Sequence, residues 1–571
     1  MTDEHFDVVV VGSGFGGSVM AYRLAEAGRR VCVLERGKTY PPGAFPRSPY
    51  RMRTNFWDPT HGLYGLFDVW SFTGLDALVA SGLGGGSLIY ANVLLRKDER
   101  WFAEDHADGG RRRPWPVDRG DLEPHYERVE SVLRPQPYPA DVAPYDATPK
   151  TRAFRAAAER AGLRWFAPAL AVTFANPGEA PVTGEPIVEE RPNLHGRTRY
   201  TCRLCGECDL GCNYGSKNTL DLTYLSDAVR LGADVRTHAD ARAFARRPDG
   251  RYAVRYIEYP PDCDGRPTAI LDPATPMRTV TADRLVLAAG TLGTTRLLLR
   301  NRSAVPRISH RLGTRFCGNG DLLTFAVRCG QGSEDGRLER AIDPGYGPVI
   351  TSAVRVEDAA DGGEGRGFYL EDAGFPVFAA WLLHAAGAPR QLWRWRRVAM
   401  RLSRERLRRD RYRHTGRSAV VAHLFGTSEV SAGMLPLLAM GRDVPDGRMY
   451  LRHNHLMVDW HKAGASAPYF ERVRETCARL AGALGGTLRD NPLWFLSRVI
   501  TVHPLGGCPM GEGPHDGVVD SHGEVFGCPG LHVADGSVMP GPVGANPALT
   551  IAALADRFAD RVVERGRGPA T

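Results

Sequence analysis

The chain lacks any uninterrupted apolar segment of about 18 residues, the length that a membrane-spanning helix requires. Its longest apolar stretch, residues 375–388, is interrupted by His384. Internal repeats and low-complexity linkers are also absent, which excludes solenoid architectures and domains strung together by flexible linkers. What remains is the composition of a globular protein, with 43% apolar and 24% charged residues over 571 positions.

Lysine is nearly missing, with five residues among the 73 basic side chains, and the arginines are unevenly placed. Twelve arginines lie between Arg390 and Arg417, where only Glu405 and Asp410 are acidic, which gives a local charge of +10. Because the whole chain carries +8, the rest of the protein has a net charge of −2. Binding along nucleic acid requires a broader basic track, so no nucleic-acid partner is expected.

The first residues, MTDEHFDVVVVG, contain neither a basic region nor a long apolar run, so we expect no export signal. A strand that begins at about Phe6 leaves no room for a cleaved leader. The expected location is therefore the cytoplasm, where the 11 cysteines are not expected to form a disulfide framework.

Four of these cysteines, hereafter the cysteine quartet, follow the spacing C-x2-C-x2-C-x3-C and are Cys202, Cys205, Cys208 and Cys212. This spacing holds a [4Fe–4S] cluster in bacterial ferredoxins, except that Asn213 stands here where proline is usual. The quartet therefore predicts a [4Fe–4S] or [3Fe–4S] cluster. A zinc ion and four metal-free thiols are the alternatives.

Glycine is abundant, at 65 residues, and its first cluster lies between a predicted strand and a predicted helix. Residues 6–37 predict a buried strand, a glycine turn, a helix and a second strand, which together form a βαβ unit. Gly12 would form the tight turn, Gly14 would let the backbone approach a pyrophosphate, and Gly17 would let helix and strand pack closely. Glu35 closes the second strand, where it can accept hydrogen bonds from a ribose. The unit predicts a dinucleotide site rather than a chance glycine turn.

A second glycine cluster, SGLGGGSLIYAN at residues 81–92, contains Gly84, Gly85, Gly86 and Ser87. Glycines at this density bring the main chain against a flat or highly charged ligand. The alternative is a flexible surface loop. A plain NAD dehydrogenase needs no such second cradle, so the cluster favours FAD over NAD.

A third group of residues lies near the C-terminal end. His503 stands between an apolar strand and a Pro-Gly turn, where its imidazole can project into a cleft. Asn546 precedes Pro547, which disfavours helical geometry at Asn546 and favours the start of a helix just beyond. A lone histidine or asparagine is more often structural. Their combination with the turn at Asp535 and Gly536 is less common and predicts a functional site.

These motifs together resemble the glucose–methanol–choline (GMC) oxidoreductase family. The resemblance rests on the two glycine clusters, HPLGG at 503–507, VADGSVMPG at 533–541 and GANP at 544–547. It is strong at both ends of the chain and weak over residues 330–490. Within the family, the sequence looks most similar to the cholesterol oxidase branch, which has the HPLGG run and the Asn-Pro pair.

The resemblance implies an enzyme that oxidises an alcohol by hydride transfer to flavin N5. It implies that His503 accepts the alcohol proton and that Asn546 holds the same oxygen. The FAD is expected to be noncovalent, because residues 84–95 contain no histidine or cysteine. Cholesterol oxidases also use a glutamate to move a steroid double bond, for which Glu371 is the candidate here. The implied cofactor-binding residues are Gly12, Gly14, Phe15, Gly17, Glu35, Gly84, Gly85, Gly86, Ser87, Asn92, Asp535 and Gly536.

The implied fold is α/β, with a Rossmann-like FAD-binding domain interleaved with an α+β substrate domain that is built on a mainly antiparallel sheet. Amphipathic helices are predicted at residues 123–134, 150–163 and 468–486. The FAD-binding domain is expected to comprise residues 1–110, 200–325 and 495–571. The substrate domain is expected to comprise residues 111–199 and 326–494, with a basic lid or docking segment at 375–417.

The expected substrate is a small molecule, a bulky apolar secondary alcohol such as a sterol, and O2 or another acceptor would reoxidise the flavin. One alternative is an FAD/iron–sulfur dehydrogenase that passes single electrons from the cysteine quartet to a protein or quinone. Another is a non-enzymatic flavoprotein that binds a partner or a membrane through its arginine-rich segment. The pairing of His503 with Asn546 argues against a pure binding module. A water-insoluble alcohol would favour peripheral membrane contact through residues 375–417, against the alternative of a solvated helix packed on its own core.

Overall fold

The structure is a computed structural model that describes residues 4–104, 113–259, 275–330, 342–376 and 433–565. The lid or docking segment predicted at residues 375–417 lies, apart from its first two residues, outside the described residues. Within the described ranges, no helix is both long enough and apolar enough to cross a membrane.

The N-terminal βαβ unit belongs to a seven-stranded sheet with a parallel centre, which confirms the Rossmann-like prediction. Strand Glu4–Val11 pairs in parallel with neighbours on both sides, and its valines at 8–10 are fully buried. Successive β-branched residues suit this strand because both of its faces are covered. The strand order is Asp234–Arg236, Val31–Leu34, Glu4–Val11, Met277–Leu287, Tyr252–Glu258 and Ala239–Arg246, with Leu531–Val533 also paired to Met277–Leu287.

A second sheet has six antiparallel strands and confirms the predicted antiparallel sheet. Its strand order is Trp165–Phe166, Ala353–Val356, Phe368–Asp372, Leu435–Gly441, Leu322–Val327 and Thr487–Asp490. Buried and half-buried residues alternate along Leu322–Val327, as expected for a strand with one face on the core.

Residues 448–459 form a separate hairpin outside this sheet. Its strands, Arg448–Arg452 and His455–Asp459, are joined by His453 and Asn454, both with positive φ. A two-residue turn of this kind pairs the two strands with each other. The remaining short strands are Trp57–Asp58, Leu63–Tyr64, Phe67–Phe72, Leu75–Ala80, Ala103–Glu104, Arg113–Pro114, Gln136–Pro137, Ala169–Leu170 and Val499–Thr501.

The described residues contain eight α-helices, and the three predicted amphipathic helices are among them. They are Phe15–Glu26, Arg119–Leu133, Pro149–Arg160, Tyr224–Arg230, Gly290–Arg300, Ala467–Ala483, Pro492–Phe495 and Ala548–Arg565. The last helix packs against both the first and the second, and its buried Asp556 forms ion pairs with Arg23 of the first and Arg128 of the second. These contacts hold the C-terminal helix, and the residues that lead into it, against the N-terminal unit.

Candidate active site

The two large sheets enclose a cavity of about 590 Å³. Its walls come from both glycine clusters, from strand Leu322–Val327 and from the segments around His503 and Asn546. The lining is mainly apolar, with a few polar groups at defined places. A cavity of this size and lining is typical of cofactor and small-molecule sites.

The first glycine loop leaves space where a phosphate would lie. Gly12 has a φ of +98°, and a Cβ there would overlap the carbonyl oxygen of Ala288. A Cβ at Gly17 would overlap the carbonyl oxygen of Gly12, as expected for close packing of helix on strand. Gly14 is different, because a Cβ there would meet nothing within 4 Å and would point into open space at the cavity wall. This open position fits the approach of a pyrophosphate to the backbone.

Glu35 immediately follows the second strand and lines the same cavity. One carboxylate oxygen accepts hydrogen bonds from the Ser13 hydroxyl at 2.6 Å and the Ser13 amide at 3.1 Å, and the other accepts from the Gly37 amide at 2.8 Å. Burial raises the pKa of Glu35. The fixed carboxyl is well placed to accept a bond from a ribose hydroxyl.

The second glycine cluster packs directly on the first. A Cβ at Gly85 would lie 2.7 Å from the Cα of Gly14, so the two loops form one continuous cradle. Gly85 and Gly86 line the cavity together with Phe15. Ser87 lies behind this wall, where its hydroxyl donates to the Gly84 carbonyl at 2.7 Å.

Four of the predicted cofactor residues do not line the cavity: Gly17, Gly84, Ser87 and Asn92. Asn92 is fully buried with a positive φ, and its side-chain amide has no hydrogen-bond partner in the described part of the chain. These residues shape the cradle from behind instead of forming its surface.

The turn at Asp535 and Gly536 closes another side of the cavity. Asp535 accepts hydrogen bonds from the Thr294 hydroxyl at 2.5 Å and the Ser537 hydroxyl at 2.6 Å. Burial raises the pKa of Asp535. The side chain is therefore held in one orientation beside Gly536.

His503 lines the cavity and is oriented by a buried carboxylate that the sequence did not reveal. Its Nδ1 lies 2.7 Å from Asp321, whose other oxygen accepts from the Thr501 hydroxyl at 2.9 Å and the Val502 amide at 2.8 Å. Because a carboxylate is an acceptor, this contact places the ring proton on Nδ1 and leaves a lone pair on Nε2. His503 is thereby prepared to accept a proton.

Asn546 also lines the cavity, and Glu371 lies directly behind it. The Asn546 amide donates to Glu371 at 3.5 Å, which leaves the second amide proton for another acceptor. Burial raises the pKa of Glu371 to about 8, with smaller contributions from the nearby negative charges of Asp372 and Asp321. The cavity wall therefore presents both a base, His503, and a hydrogen-bond donor, Asn546.

The cysteine quartet lines a second, small cavity. None of its cysteines forms a disulfide. Burial raises the pKa of the Cys205 thiol to about 12 and also raises the pKa of Cys202 and Cys208, so without a metal these are neutral thiols. Among the described residues, the quartet sulfurs do not form a group close enough to be a ready-made site for a metal ion.

The residues around the large cavity fit FAD. Gly12, Gly14, Gly85 and Gly86 would receive the pyrophosphate and part of the ring, and Glu35 the ribose. Asp535 and Gly536 would lie along the rest of the cofactor. The remaining space adjoins His503 and the apolar sheet, where a substrate can reach the cofactor.

Comparison with known proteins agrees with this arrangement. GMC oxidoreductase family models match residues 193–318 and 492–555, and an NAD(P)-binding Rossmann-like domain model matches residues 10–44. A cholesterol oxidase of Mycobacterium tuberculosis is 29% identical over 98% of this chain and 92% of its own. A long-chain-alcohol oxidase of Arabidopsis thaliana is 24% identical over 98% of this chain and 67% of its own.

The fold is shared with a solved structure of formate oxidase from Aspergillus oryzae, with a TM-score of 0.59, 14% identity and 99% of each chain covered. The family models fall on the stretches that contribute the first glycine loop, the cysteine quartet, His503 and Asn546. The chain therefore belongs to the glucose–methanol–choline oxidoreductase family, a family of FAD-dependent enzymes that oxidise alcohols.

Proposed function

We propose that this protein oxidises a bulky, apolar alcohol such as a sterol to the corresponding ketone or aldehyde, with noncovalently bound FAD. The observation that carries this proposal is the His503–Asp321 pair at the wall of an apolar cavity. A base held in one tautomer suits removal of a hydroxyl proton. FAD, when bound, supplies the acceptor for the hydride from the carbinol carbon.

Each protein group then has a separate task. Asp321 keeps the proton on Nδ1 of His503, so that Nε2 receives the hydroxyl proton of the alcohol. The free amide proton of Asn546 holds the alcohol oxygen and limits its rotation. Fixing the oxygen at two points directs the carbinol hydrogen, which is the orientation effect that lowers the barrier.

The preference for a bulky apolar alcohol follows from the cavity wall next to His503. Its side chains include Leu323 and Phe325 from one strand and Pro436 and Leu438 from the adjacent strand. These groups offer hydrophobic contact and no partner for additional hydroxyl groups, which disfavours a sugar. The names of the relatives, cholesterol oxidase and long-chain-alcohol oxidase, describe alcohols of the same apolar character.

The direct experiment is anaerobic mixing of the purified protein with a panel of alcohols while the flavin absorbance is followed. Sterols and long-chain alcohols should bleach the flavin, whereas choline and glucose should not. Denaturation should release FAD into the supernatant. Bleaching by polar alcohols alone would contradict the proposed substrate class, and colour retained by precipitated protein would contradict noncovalent binding.

Asp321→Asn should lower kcat by about 10²- to 10³-fold, because an amide can present its N–H to Nδ1 and favour the wrong tautomer of His503. FAD content and KM should change little, since Asp321 touches neither the cofactor cradle nor the apolar wall. Steady-state kinetics with a sterol checks this expectation.

The matched control is Asp443→Asn. Asp443 is also fully buried and also accepts a backbone amide, from Gly318 at 2.9 Å, but it makes no hydrogen bond to His503. The Asp443→Asn variant should retain far more activity than the Asp321→Asn variant. Equal losses in the two variants would mean that Asp321 acts through general stability of the region.

With a sterol whose double bond lies one carbon further from the carbinol carbon, so that it is β,γ to the new ketone, Glu371 should support migration of that bond into conjugation. Its carboxyl ionises as the pH rises through about 8, so formation of the conjugated enone should increase over this range. Glu371→Gln, which resembles the protonated carboxyl, should retain oxidation at pH 7 and yield only the unconjugated ketone. Absorbance of the enone checks this; undiminished enone formation by the variant would exclude Glu371.

A second candidate function, an FAD/iron–sulfur dehydrogenase, is favoured by the position of the cysteine quartet. Cys208 lines the small cavity, and the next residue, Asp209, lines the large one. A metal centre there would lie close to the flavin and could pass single electrons to a protein or quinone. Reoxidation of the reduced enzyme by a one-electron dye much faster than by O2 would support this route, and stoichiometric hydrogen peroxide would favour an oxidase.

A further inference from the structure

Two arginines of one helix, hereafter the arginine pair, face the large cavity in a part that the proposed oxidation does not use. Arg296 and Arg300 belong to helix Gly290–Arg300, and both line the cavity. Because they are four residues apart, their side chains project from the same side of the helix, one turn from each other. Two like charges at this spacing destabilise a helix unless a group of opposite charge lies between them.

The described part of the chain supplies no carboxylate partner for the arginine pair. Within it, neither guanidinium lies within 4.0 Å, the distance of an ion pair, of an acidic side chain. The Nε of Arg296 is buried and has no hydrogen-bond partner among the described residues. The guanidinium is held over the ring of Trp70, 5.7 Å from its centroid. Since a buried N–H without an acceptor is unfavourable, Arg296 is positioned for a ligand.

The charged residues around Arg296 increase the excess of positive charge. Two further arginines line the cavity, but each has its own carboxylate. Arg36 pairs with Asp68 at 2.8 Å, and Arg242 pairs with Asp240 at 2.6 Å. Burial lowers the pKa of Arg296, and the charges of the neighbouring arginines lower it further, against the opposing effect of Asp240. This end of the cavity is therefore electropositive.

The end of the helix and the phosphates of FAD do not account for this arrangement. A helix C-terminus favours cations, which suits Arg300 as the last residue but not Arg296, held over Trp70 a full turn earlier. The pyrophosphate of FAD would lie at the first glycine loop, where Gly12 contacts Ala288 just before the helix. The arginine pair is attached about 9 and 15 Å further along the helix axis.

A phosphate group matches the arginine pair in charge and geometry. Each guanidinium presents a fork of N–H donors that binds two phosphate oxygens at once. Inorganic phosphate and phosphate monoesters carry up to two negative charges, whereas a carboxylate carries one. We propose that Arg296 and Arg300 form a binding site for a phosphate-type anion at the end of the large cavity next to Trp70. The anion is either free phosphate or the headgroup phosphate of a lipid, and the site does not depend on the proposed oxidation.

The test is isothermal titration of the purified holoenzyme with inorganic phosphate, in a chloride buffer of constant ionic strength. Phosphate should bind with a Kd on the order of 1 mM or below. Arg296→Gln and Arg300→Gln should each weaken binding about 10- to 100-fold, as expected for the loss of charge-assisted hydrogen bonds. Arg300 is exposed, so its variant keeps the test informative if Arg296→Gln does not fold.

The matched control is Arg302→Gln. Arg302 is an exposed arginine just beyond the helix and outside the cavity wall, so this variant loses the same charge without changing the arginine pair. It should bind phosphate as wild type does. The FAD content of all three variants should equal that of wild type in buffer without phosphate.

Sedimentation with vesicles of phosphatidylcholine and phosphatidic acid distinguishes the two sources of the anion. If the anion is a lipid headgroup, the vesicles should pellet wild type and Arg302→Gln but not Arg296→Gln. If it is free phosphate, all three proteins should stay in the supernatant while the titration still shows binding.

Equal phosphate affinity in wild type and in both variants of the arginine pair would overturn the site, as would heat that chloride alone reproduces. Loss of FAD from Arg296→Gln or Arg300→Gln in buffer without phosphate would assign the arginine pair to FAD itself and would also overturn it. Bleaching of the flavin by alcohol, measured in the same samples, reports the proposed oxidation independently of these outcomes.

Discussion

Replacement of His503 by alanine is expected to lower the rate of alcohol-dependent flavin reduction by about 10²- to 10⁴-fold, or roughly 3–5 kcal/mol in the barrier. In the proposed mechanism the variant loses the Nε2 lone pair that would receive the hydroxyl proton, while the glycine cradle and Glu35 remain. Its FAD content should therefore stay near that of wild type. Anaerobic stopped-flow measurement of the flavin absorbance, at saturating alcohol, gives the rate directly.

Asn546→Ala should show a loss in the same range, because the alcohol oxygen is then held at one point. The control is His515→Ala, whose ring lies on the same C-terminal stretch with its side chain 80% exposed, outside the cavity wall. It should behave as wild type. Near-normal flavin bleaching in both the His503 and the Asn546 variants would remove these residues from the mechanism.

The second large effect concerns two glycines, Gly14 and Gly16, whose replacement by alanine should affect different properties of the protein. A Cβ at Gly16 would overlap the backbone carbonyl of Ala534, which cannot move without disturbing the adjoining turn at Asp535. Gly16→Ala should therefore destabilise the fold by several kcal/mol and yield little native protein. A Cβ at Gly14 meets nothing in the protein but enters the space where a pyrophosphate would approach.

Gly14→Ala should accordingly fold and bind FAD about 10- to 100-fold more weakly, as expected for a steric cost of 1–3 kcal/mol. Thermal unfolding with and without added FAD, together with the flavin content after purification, separates the two effects. Gly482→Ala is the matched control, since its Cβ would also meet nothing within 4 Å and it lies within a helix. Unchanged FAD affinity in Gly14→Ala would place the phosphates elsewhere.

The fold and the family could be predicted from the sequence because their signals are local. The strand, glycine turn and helix of residues 6–26 can be predicted from consecutive residues, and their order is typical of a dinucleotide-binding unit. The same holds for the helix that follows Pro547 and for the spacing of the cysteine quartet. The hairpin at residues 448–459 shows the limit, because an apolar alternation does not tell which strand will be the neighbour.

The sequence by itself therefore determined the Rossmann-like unit, the antiparallel second sheet and the membership in an FAD-dependent family. Only the tertiary structure brought Asp321 to His503 across 182 residues and Glu371 to Asn546 across 175. It also placed Lys217 between the flavin cradle and the cysteine quartet, 129 residues from Leu88. The physical reason is that such contacts depend on how segments far apart in the sequence pack together. A buried carboxylate or ammonium has no local pattern that distinguishes it from the many charged residues on the surface.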